Sequence, residues 1–353
     1  MAFTTAAGYG NLPSGNFVPV VYSQKVLKFF RRASVAEAIT NTDYAGEIEN
    51  FGDTVNIIKE PTITVNAYQR GSSVNTEALA DDQIQLTVDQ GNYFAFKVDD
   101  IEEAHSHVNF QSLATDRAAY RLADQFDQDV LGYLSGWTQS VLHGTPDTVN
   151  TSTSGSVAVS TAGTDELLSS MKLDASDFNS GSASNSIVVK PRTGADTLNT
   201  TTANATPMQI IARMSRKLDQ QNVDTSGRWL VLDPVFCELL KDEDSRLLQA
   251  DWGGSGLRNG LVVNNIHGFK VYMSNNLPQK GSGPTSTTST GSTHFGVIVA
   301  GHSSAVASAQ QINKTESYRD PDSFGDIVRG MHLYGRKVLR PEALVNAIWT
   351  SGL

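Results

Sequence analysis

Two runs of alternating apolar and polar residues constrain this chain more than any other feature of its sequence. The first run covers Thr54 to Tyr68 and is interrupted by Pro61, and the second covers Ile84 to Val98. Alternation with a period of two is typical of β-strands, so the runs predict two long strands of a hairpin. The stretch between them, Gln69 to Gln83, is too polar for a protein core. Such an arm cannot bury itself alone, so something outside the local fold must cover it.

A long helix is predicted after the hairpin. Between Thr115 and Leu134, apolar residues recur at steps of three and four and form one face of a helix ~30 Å long. The residues of this face are Ala119, Leu122, Ala123, Phe126, Val130, Leu131 and Leu134. Asp100, followed three residues later by Glu103, has the spacing of a capping box. We expect the apolar face to pack on strands of the same subunit.

The rest of the chain predicts a compact α+β unit. Thr206, Pro207 and Gln209 have the spacing of an N-cap, a first-turn proline and a capping-box partner, so they predict the start of a helix. Further helices are predicted over 164–173 and 234–240, and strands over 186–189, 229–232, 261–263, 269–273, 295–299 and within 327–348. Three Ser/Thr/Gly tracts, at 145–164, 176–186 and 281–293, predict exposed loops.

Composition and charge exclude several classes of protein. The 27 Lys and Arg against 37 Asp and Glu give a net charge of −10, which argues against a free-standing nucleic-acid binder. The single cysteine, Cys237, excludes an intrachain disulfide framework and a Cys-based zinc site. No apolar run approaches the ~20 residues of a membrane-spanning helix, and the first residues do not resemble a secretory signal. We therefore expect a soluble protein made in the cytosol.

The sequence predicts no catalytic, cofactor or metal site. Acidic residues and two histidines cluster between Asp99 and His107, but carboxylates are favoured at a helix start without any metal. The glycine-rich stretch 252–260 matches neither a dinucleotide-binding nor a phosphate-binding loop. Nucleophile-elbow and metalloprotease motifs are missing from the sequence. Cys237 lies in a helical pattern and is interpreted as a packed small residue.

The order of these segments resembles a known family. The segments that carry the resemblance are Phe51–Val55, Pro61–Val65, Leu86–Gln90, Tyr93–Ile101, Ala123–Leu131 and Tyr318–Asp326. Together they are similar to the extended-loop hairpin, spine helix and terminal strands of tailed-bacteriophage major capsid proteins with the HK97-type α+β fold, near the P22-coat-like group. The resemblance implies an N-terminal arm with a short basic helix (1–50), an E-loop hairpin (51–98), a peripheral domain (99–200 and 301–353) and an axial domain (201–300).

The resemblance also implies a structural role and not an enzymatic one. Such subunits form hexamers and pentamers that close into an icosahedral head around double-stranded DNA, which they hold without sequence specificity and without a membrane. The implied partners are copies of the chain itself, a scaffolding protein, a portal and a decoration protein. The implied location is the virion, after synthesis in the bacterial cytoplasm. An encapsulin-like nanocompartment and a phage tail or receptor-binding protein remain alternatives.

Charged residues supply the candidate contact sites. From Asp43 to Glu103 there are thirteen acidic residues and three basic ones, so docking of the hairpin on a neighbour would require positive charge there. The candidate inter-subunit residues are Arg70, Glu77, Asp81, Asp82, Arg117, Arg121, Arg329, Arg336, Lys337 and Arg340. These contacts predict salt-sensitive assembly, and the alternative is that the acids are merely solvated. Some members of the family that this chain resembles crosslink neighbouring subunits covalently through lysine and asparagine. The hairpin tip of this chain contains no lysine, so the crosslink is not predicted here.

A short basic segment stands out in this acidic chain. Its charged residues are Lys25, Lys28, Arg31 and Arg32, which lie on one side at helical spacing. They are either the solvated face of a packed helix or a contact with an acidic partner or with phosphates. We expect the segment to lie on the lumenal side of a shell.

Overall fold

The computed structural model describes residues 34–44, 54–60, 63–67, 69–71, 73, 76, 82–99, 110–135, 167–178, 187–189, 204–241, 265–280, 295–321 and 324–351. Several sequence predictions therefore lie outside the described residues. They are the basic segment at 25–32, the capping box at Asp100, the acidic and histidine cluster beyond Asp99, the strand at 261–263 and most of the three Ser/Thr/Gly tracts.

The described chain contains four α-helices and fourteen β-strands. The helices are α1 (Ala36–Ile39), α2 (Phe110–Ser135), α3 (Pro207–Gln220) and α4 (Pro234–Leu240). The strands are β1 (Thr54–Lys59), β2 (Asp82–Thr87), β3 (Gln90–Asp99), β4 (Lys172–Leu173), β5 (Ile187–Val189), β6 (Asn204–Ala205), β7 (Arg228–Leu232), β8 (Asn265–Ile266), β9 (Phe269–Met273), β10 (Gln279–Lys280), β11 (Phe295–His302), β12 (Val306–Arg319), β13 (Gly325–Val338) and β14 (Leu344–Ser351). Short 3₁₀ turns lie at Ser169–Met171, Ala175–Asp177 and Pro341–Ala343.

The described strands form three sheets. The hairpin sheet contains β1 and β2, and the flanking sheet has the antiparallel order β12-β13-β3. The central sheet has nine strands, of which seven follow the order β6-β5-β14-β11-β7-β9-β8, while β10 pairs with β11 and β4 with β14. Helices cover both faces of the central sheet, so this part of the chain has three layers.

The hairpin is confirmed, but its second predicted strand is divided between two sheets. β2 pairs with β1 in the register Thr54↔Thr87 to Lys59↔Asp82. The following residues form β3, which pairs with β13 from Tyr334↔Gln90 to Gly325↔Asp99. Only residues 88 and 89 separate β2 from β3. Since β13 offers β3 a ten-residue ladder, the second half of the alternating run joins the flanking sheet and not the hairpin.

Helix α2 is the predicted spine helix, and its 26 residues extend over ~39 Å. Phe126 is 2% exposed, and Val130, Leu131 and Leu134 are fully buried. They belong to one apolar cluster with residues of the central sheet and of the flanking sheet. The members from these two sheets are Trp229, Val231, Val297, Val299, Leu344, Ile348, Val306, Tyr334 and Val338. The expectation that this face packs within its own subunit is confirmed from Phe126 to Leu134, whereas Ala119 and Ala123 of the same predicted face are exposed.

The opposite face of the central sheet is covered by α3 and α4. The Thr206 hydroxyl accepts from the Gln209 amide, and the Gln209 side chain accepts from the Thr206 amide, which is the predicted capping box. The buried positions of α3 pack with alternate residues of β7, β11 and β14. Asp233 caps α4 by accepting from the Phe236 amide at 3.1 Å. Both helices therefore begin where the sequence predicted.

The structure differs from the sequence prediction at two places. The helix expected over 164–173 is, in its described part, a 3₁₀ turn followed by β4, because Met171 and Leu173 are buried beside β14. The fourteen-residue strand β12 was not predicted, since its sequence is largely polar. The central sheet joins strands from both sides of the boundaries predicted at 200 and 301, and β11 itself crosses residue 301. The division into peripheral and axial domains stays a prediction.

Removing the Phe126 ring should strongly destabilise the subunit. Its ring packs edge-on against Tyr334, with centroids 5.0 Å apart, inside the apolar cluster between the helix and the two sheets. We expect Phe126→Ala to lower the free energy of unfolding by ~3–5 kcal/mol, as other large-to-small core substitutions do. Urea denaturation of unassembled subunits measures this, and Leu122→Ala, at a half-buried position of the same helix, should cost less. An unchanged midpoint for Phe126→Ala would contradict the packing described.

Candidate assembly surfaces

The hairpin is buried at its base and uncovered further out. Leu86 and Val88 are fully buried in a small cluster with residues of β12 and β13, whereas Ile58 is 84% exposed and Val65 is 93% exposed. Ile63, also beyond the paired strands, is exposed as well. One subunit therefore holds the base of the hairpin and leaves apolar side chains of its outer part in contact with solvent.

A second uncovered apolar area lies on one face of the flanking sheet, which we call the outer face. It contains Tyr93, which is 80% exposed, and Met331, which is directly paired with it across the two strands. Arg329 lies on the same face, where its guanidinium pairs with Glu316 at 2.8 Å and stacks 5.0 Å from the Tyr318 ring. The hydrogen bond that the Arg329 guanidinium donates to Glu316 raises the pKa of Arg329. The outer face thus combines aromatic surface with charge.

The opposite face of the flanking sheet carries a buried ion pair with the spine helix. Asp129 of α2 accepts from the guanidinium of Arg336, which also stacks 4.8 Å from the Tyr133 ring. Burial raises the pKa of Asp129, although Arg336 acts in the opposite direction. Burial and the Asp129 charge also raise the pKa of Tyr334, whose hydroxyl receives a hydrogen bond from Asn92 at 3.3 Å. These contacts join α2, β13 and β3.

A second buried carboxylate joins α2 to the segment before α1. One oxygen of Asp127 accepts from the backbone amides of Val35 and Ala36, both at 2.7 Å. The other oxygen accepts from the side chains of Asn276, at 2.8 Å, and Ser274, at 3.4 Å. The N-cap residue of α1 makes no side-chain capping bond, so Asp127 supplies the acceptor from the spine helix. The acid thus fixes three distant segments.

The predicted basic contact residues have different surroundings. Arg121 pairs with Asp124 at 3.1 Å, Arg117 lies 5.5 Å from the Tyr120 ring, and Arg329 and Arg336 have the partners given above. Lys337 is half-buried, whereas Arg340 and Arg70 are exposed. Arg336 is largely buried, whereas Arg121 and Arg329, although paired within their own chain, and Arg340 are exposed and can reach a neighbour.

The acidic members of the predicted contact set remain predictions. Glu77 and Asp81 lie outside the described residues, and of Asp82 only the backbone is described, opposite Lys59 in the hairpin ladder. The same holds for the expected lumenal residues Lys25, Lys28, Arg31 and Arg32, which lie outside the described part of the chain.

The sequence prediction missed the two buried acids of the spine helix. Asp127 and Asp129 are themselves buried and lie between Phe126 and the pair Val130 and Leu131, which are buried positions of the apolar face. A carboxylate placed inside such a face signals a buried polar contact, because charged groups are buried only when paired. Their partners, at Val35, Asn276 and Arg336, are far apart in sequence and could not be inferred from spacing.

Cys237 is packed, as predicted. Burial raises the pKa of its thiol to about 12. The described residues include no group of three or more His, Cys, Asp or Glu arranged to hold a metal ion. None of the described helices combines the length and apolar character that crossing a membrane requires.

Loss of the Asp127 carboxylate should detach the segment before α1. We expect Asp127→Ala to destabilise the subunit substantially, because each buried donor left without an acceptor costs ~1–3 kcal/mol. Asp124→Ala is the matched control, since Asp124 lies one turn earlier and accepts a single bond from Asn276 at 3.0 Å besides its surface contacts. Urea denaturation compares the two. Equal losses for both variants would contradict the anchoring role of Asp127.

Comparison with known proteins agrees with this architecture. The phage capsid protein family matches residues 81–347. A structure from Mycobacterium phage Che8 is 26% identical, with a TM-score of 0.64, and the match covers 96% of this chain and 97% of that one. The capsid of cyanophage P-SCSP1u is 17% identical, with a TM-score of 0.63 and 99% of each chain covered. That of Ralstonia phage GP4 is 13% identical, with a TM-score of 0.60 and 98% of each covered.

A search of curated proteins found no match. The family match covers most of the chain, and the fold likeness extends over nearly its whole length. The findings support the HK97-like fold inferred from the sequence and do not favour a nanocompartment. They support a structural role in the virion. The chain belongs to the phage capsid protein family.

Proposed function

We propose that this major capsid protein assembles with copies of itself into hexamers and pentamers, which close into an icosahedral head around double-stranded DNA. The observation that carries the proposal is the hairpin, whose base is buried in its own subunit and whose outer part exposes Ile58, Ile63 and Val65. Exposing such an apolar surface to water costs free energy. Burying the surface against a second subunit removes that cost.

The docking site that fits this hairpin is the outer face of a neighbouring subunit. Tyr93 and Met331 offer exposed apolar area there, and the exposed ion pair of Arg329 with Glu316 lies beside it. Fully burying a side chain such as Ile or Val stabilises by ~1.5–3 kcal/mol. Each exposed ion pair adds only ~0.2–1 kcal/mol, so apolar contacts supply most of the affinity and charges supply the salt sensitivity.

The remaining parts of the proposal concern the inside of the shell and its partners. The basic segment with Lys25, Lys28, Arg31 and Arg32 lies on the lumenal side and faces DNA or a scaffolding protein. The net charge of −10 suits a container that confines DNA without binding it tightly or reading its sequence. A portal and a decoration protein complete the head, and the chain is made in the cytoplasm of the bacterial host. The chain catalyses no reaction.

Substituting the exposed hairpin residue Ile58 tests the proposal. We expect Ile58→Asp to leave the urea midpoint of unassembled subunits unchanged, because the side chain contributes little to its own fold, but to reduce the yield of closed shells severely. The matched control is Asn56→Asp, which adds the same charge two residues earlier on the exposed face of the same strand. Electron microscopy of the purified proteins counts closed shells.

The outcomes separate docking from a general effect of charge. Loss of shells in Ile58→Asp but not in Asn56→Asp supports apolar docking of the hairpin. Normal shell yield in Ile58→Asp would contradict it, and a wild-type protein that never forms closed shells under assembly conditions would contradict the function itself.

A further inference from the structure

At one of its contacts with the rest of the subunit, the base of the hairpin lies directly against a glycine. Gly335, in the interior of β13, is buried. A Cβ placed on it would lie 2.3 Å from the carbonyl oxygen of Thr87, 2.9 Å from the carbonyl carbon of Thr87 and 3.0 Å from the Cα of Val88. All three atoms are backbone, so no rotation of a side chain could make room.

The position of Gly335 links the hairpin to the spine helix. Successive residues of a strand point to opposite faces. Tyr334 and Arg336 interact with Asp129 of α2, on the inner side of β13, while Gly335 faces the backbone of Thr87 on the outer side. Three consecutive residues therefore hold the helix and the hairpin against opposite faces of the same strand.

Little else determines the angle of the hairpin. The hairpin sheet shares no strand with the other described sheets, and a joint of two residues connects β2 to β3. Its remaining described support is the small cluster in which Leu86 and Val88 pack on Ala307, Ala309, Leu333 and Leu339, with Tyr44 partly buried against it. Ala309 is the direct strand partner of Gly335, so this pair places two small residues side by side beneath the hairpin base.

We propose that Gly335 is a positioning residue that sets the angle between the hairpin and the body of the subunit, and through this angle the geometry of the shell. The second half of this inference rests on the proposed function. Ordinary contacts of a Cβ begin at 3.4 Å, so any side chain at 335 requires β13 and the hairpin base to separate by about 1.1 Å. Since the paired strands extend ~20 Å, a tilt at the base displaces the outer hairpin further.

The test compares Gly335→Ala with Gly330→Ala. Gly330 lies in the same strand, and a Cβ there would be 2.4 Å from the ring of Phe94, a side chain on β3 and not part of the hairpin. Hydrogen exchange of unassembled subunits reports on the hairpin base, and electron microscopy reports on shell diameter. We expect Gly335→Ala to accelerate exchange at residues 82–88 by at least ~10-fold while α3 keeps its protection. We expect Gly330→Ala to leave residues 82–88 as in the wild type.

In assembly, Gly335→Ala should give no closed shells or shells of altered diameter, whereas Gly330→Ala should give shells of wild-type diameter. Wild-type exchange at 82–88 in Gly335→Ala would overturn the positioning role, and it is measured without any assembly. Altered exchange with wild-type shells would overturn only the link to shell geometry. A wild-type protein that forms no shells would instead contradict the proposed function.

A second variant tests the same contact if Gly335→Ala does not fold. Leu86→Ala loosens the same contact from the hairpin side by leaving a cavity under its base. We expect faster exchange at residues 82–88 and a broader distribution of shell diameters. Wild-type exchange and a wild-type diameter in this variant would overturn the positioning role of the contact.

Discussion

Tyr334 and Arg336 reach Asp129 of the spine helix on one face of β13, and the hairpin base lies against Gly335 on the other. Burying a charge is costly, and a buried pair is tolerable only while both partners stay in place. The pair therefore fixes the register of the helix against the strand, and Tyr334 extends the contact to Asn92 in β3. The Asp127 contacts then attach the segment before α1 and the loop at Ser274 to the same helix. These contacts hold α2, the flanking sheet and the hairpin base together.

The same part of the subunit leaves two apolar areas uncovered. This arrangement suits a subunit that must be stable before assembly and must bind its neighbours during assembly. The core of the central sheet is covered on both faces by helices of its own chain. The outer hairpin and the outer face of the flanking sheet keep aliphatic and aromatic side chains exposed. Residues that stabilise the fold and residues that we propose for docking thus lie on opposite faces of the same strands.

Local signals in the sequence predicted much of the fold. The capping box at Thr206, the apolar stripe around Phe126 and the alternating runs depend on neighbours within a few residues, so α2, α3 and the hairpin could be inferred. The helical pattern over 234–240 likewise predicted α4. The division of the second run between two sheets depends on pairing with β13, more than 200 residues away. Strand β12 was missed because its sequence is largely polar and lacks clear hydrophobic alternation. It is instead defined by its pairing with β13. Asp127, Asp129 and Gly335 could not be assigned roles, because their partners come from distant segments.

The central claim is that the exposed outer hairpin of one subunit is covered by the outer face of the next. A cryo-electron microscopy reconstruction of the assembled particle measures this most directly. The account predicts that the side chain of Ile58 lies within ~4.5 Å of apolar atoms of a neighbouring subunit, near that neighbour's Tyr93 and Met331. A closed shell in which Ile58, Ile63 and Val65 all remain in contact with solvent would contradict it.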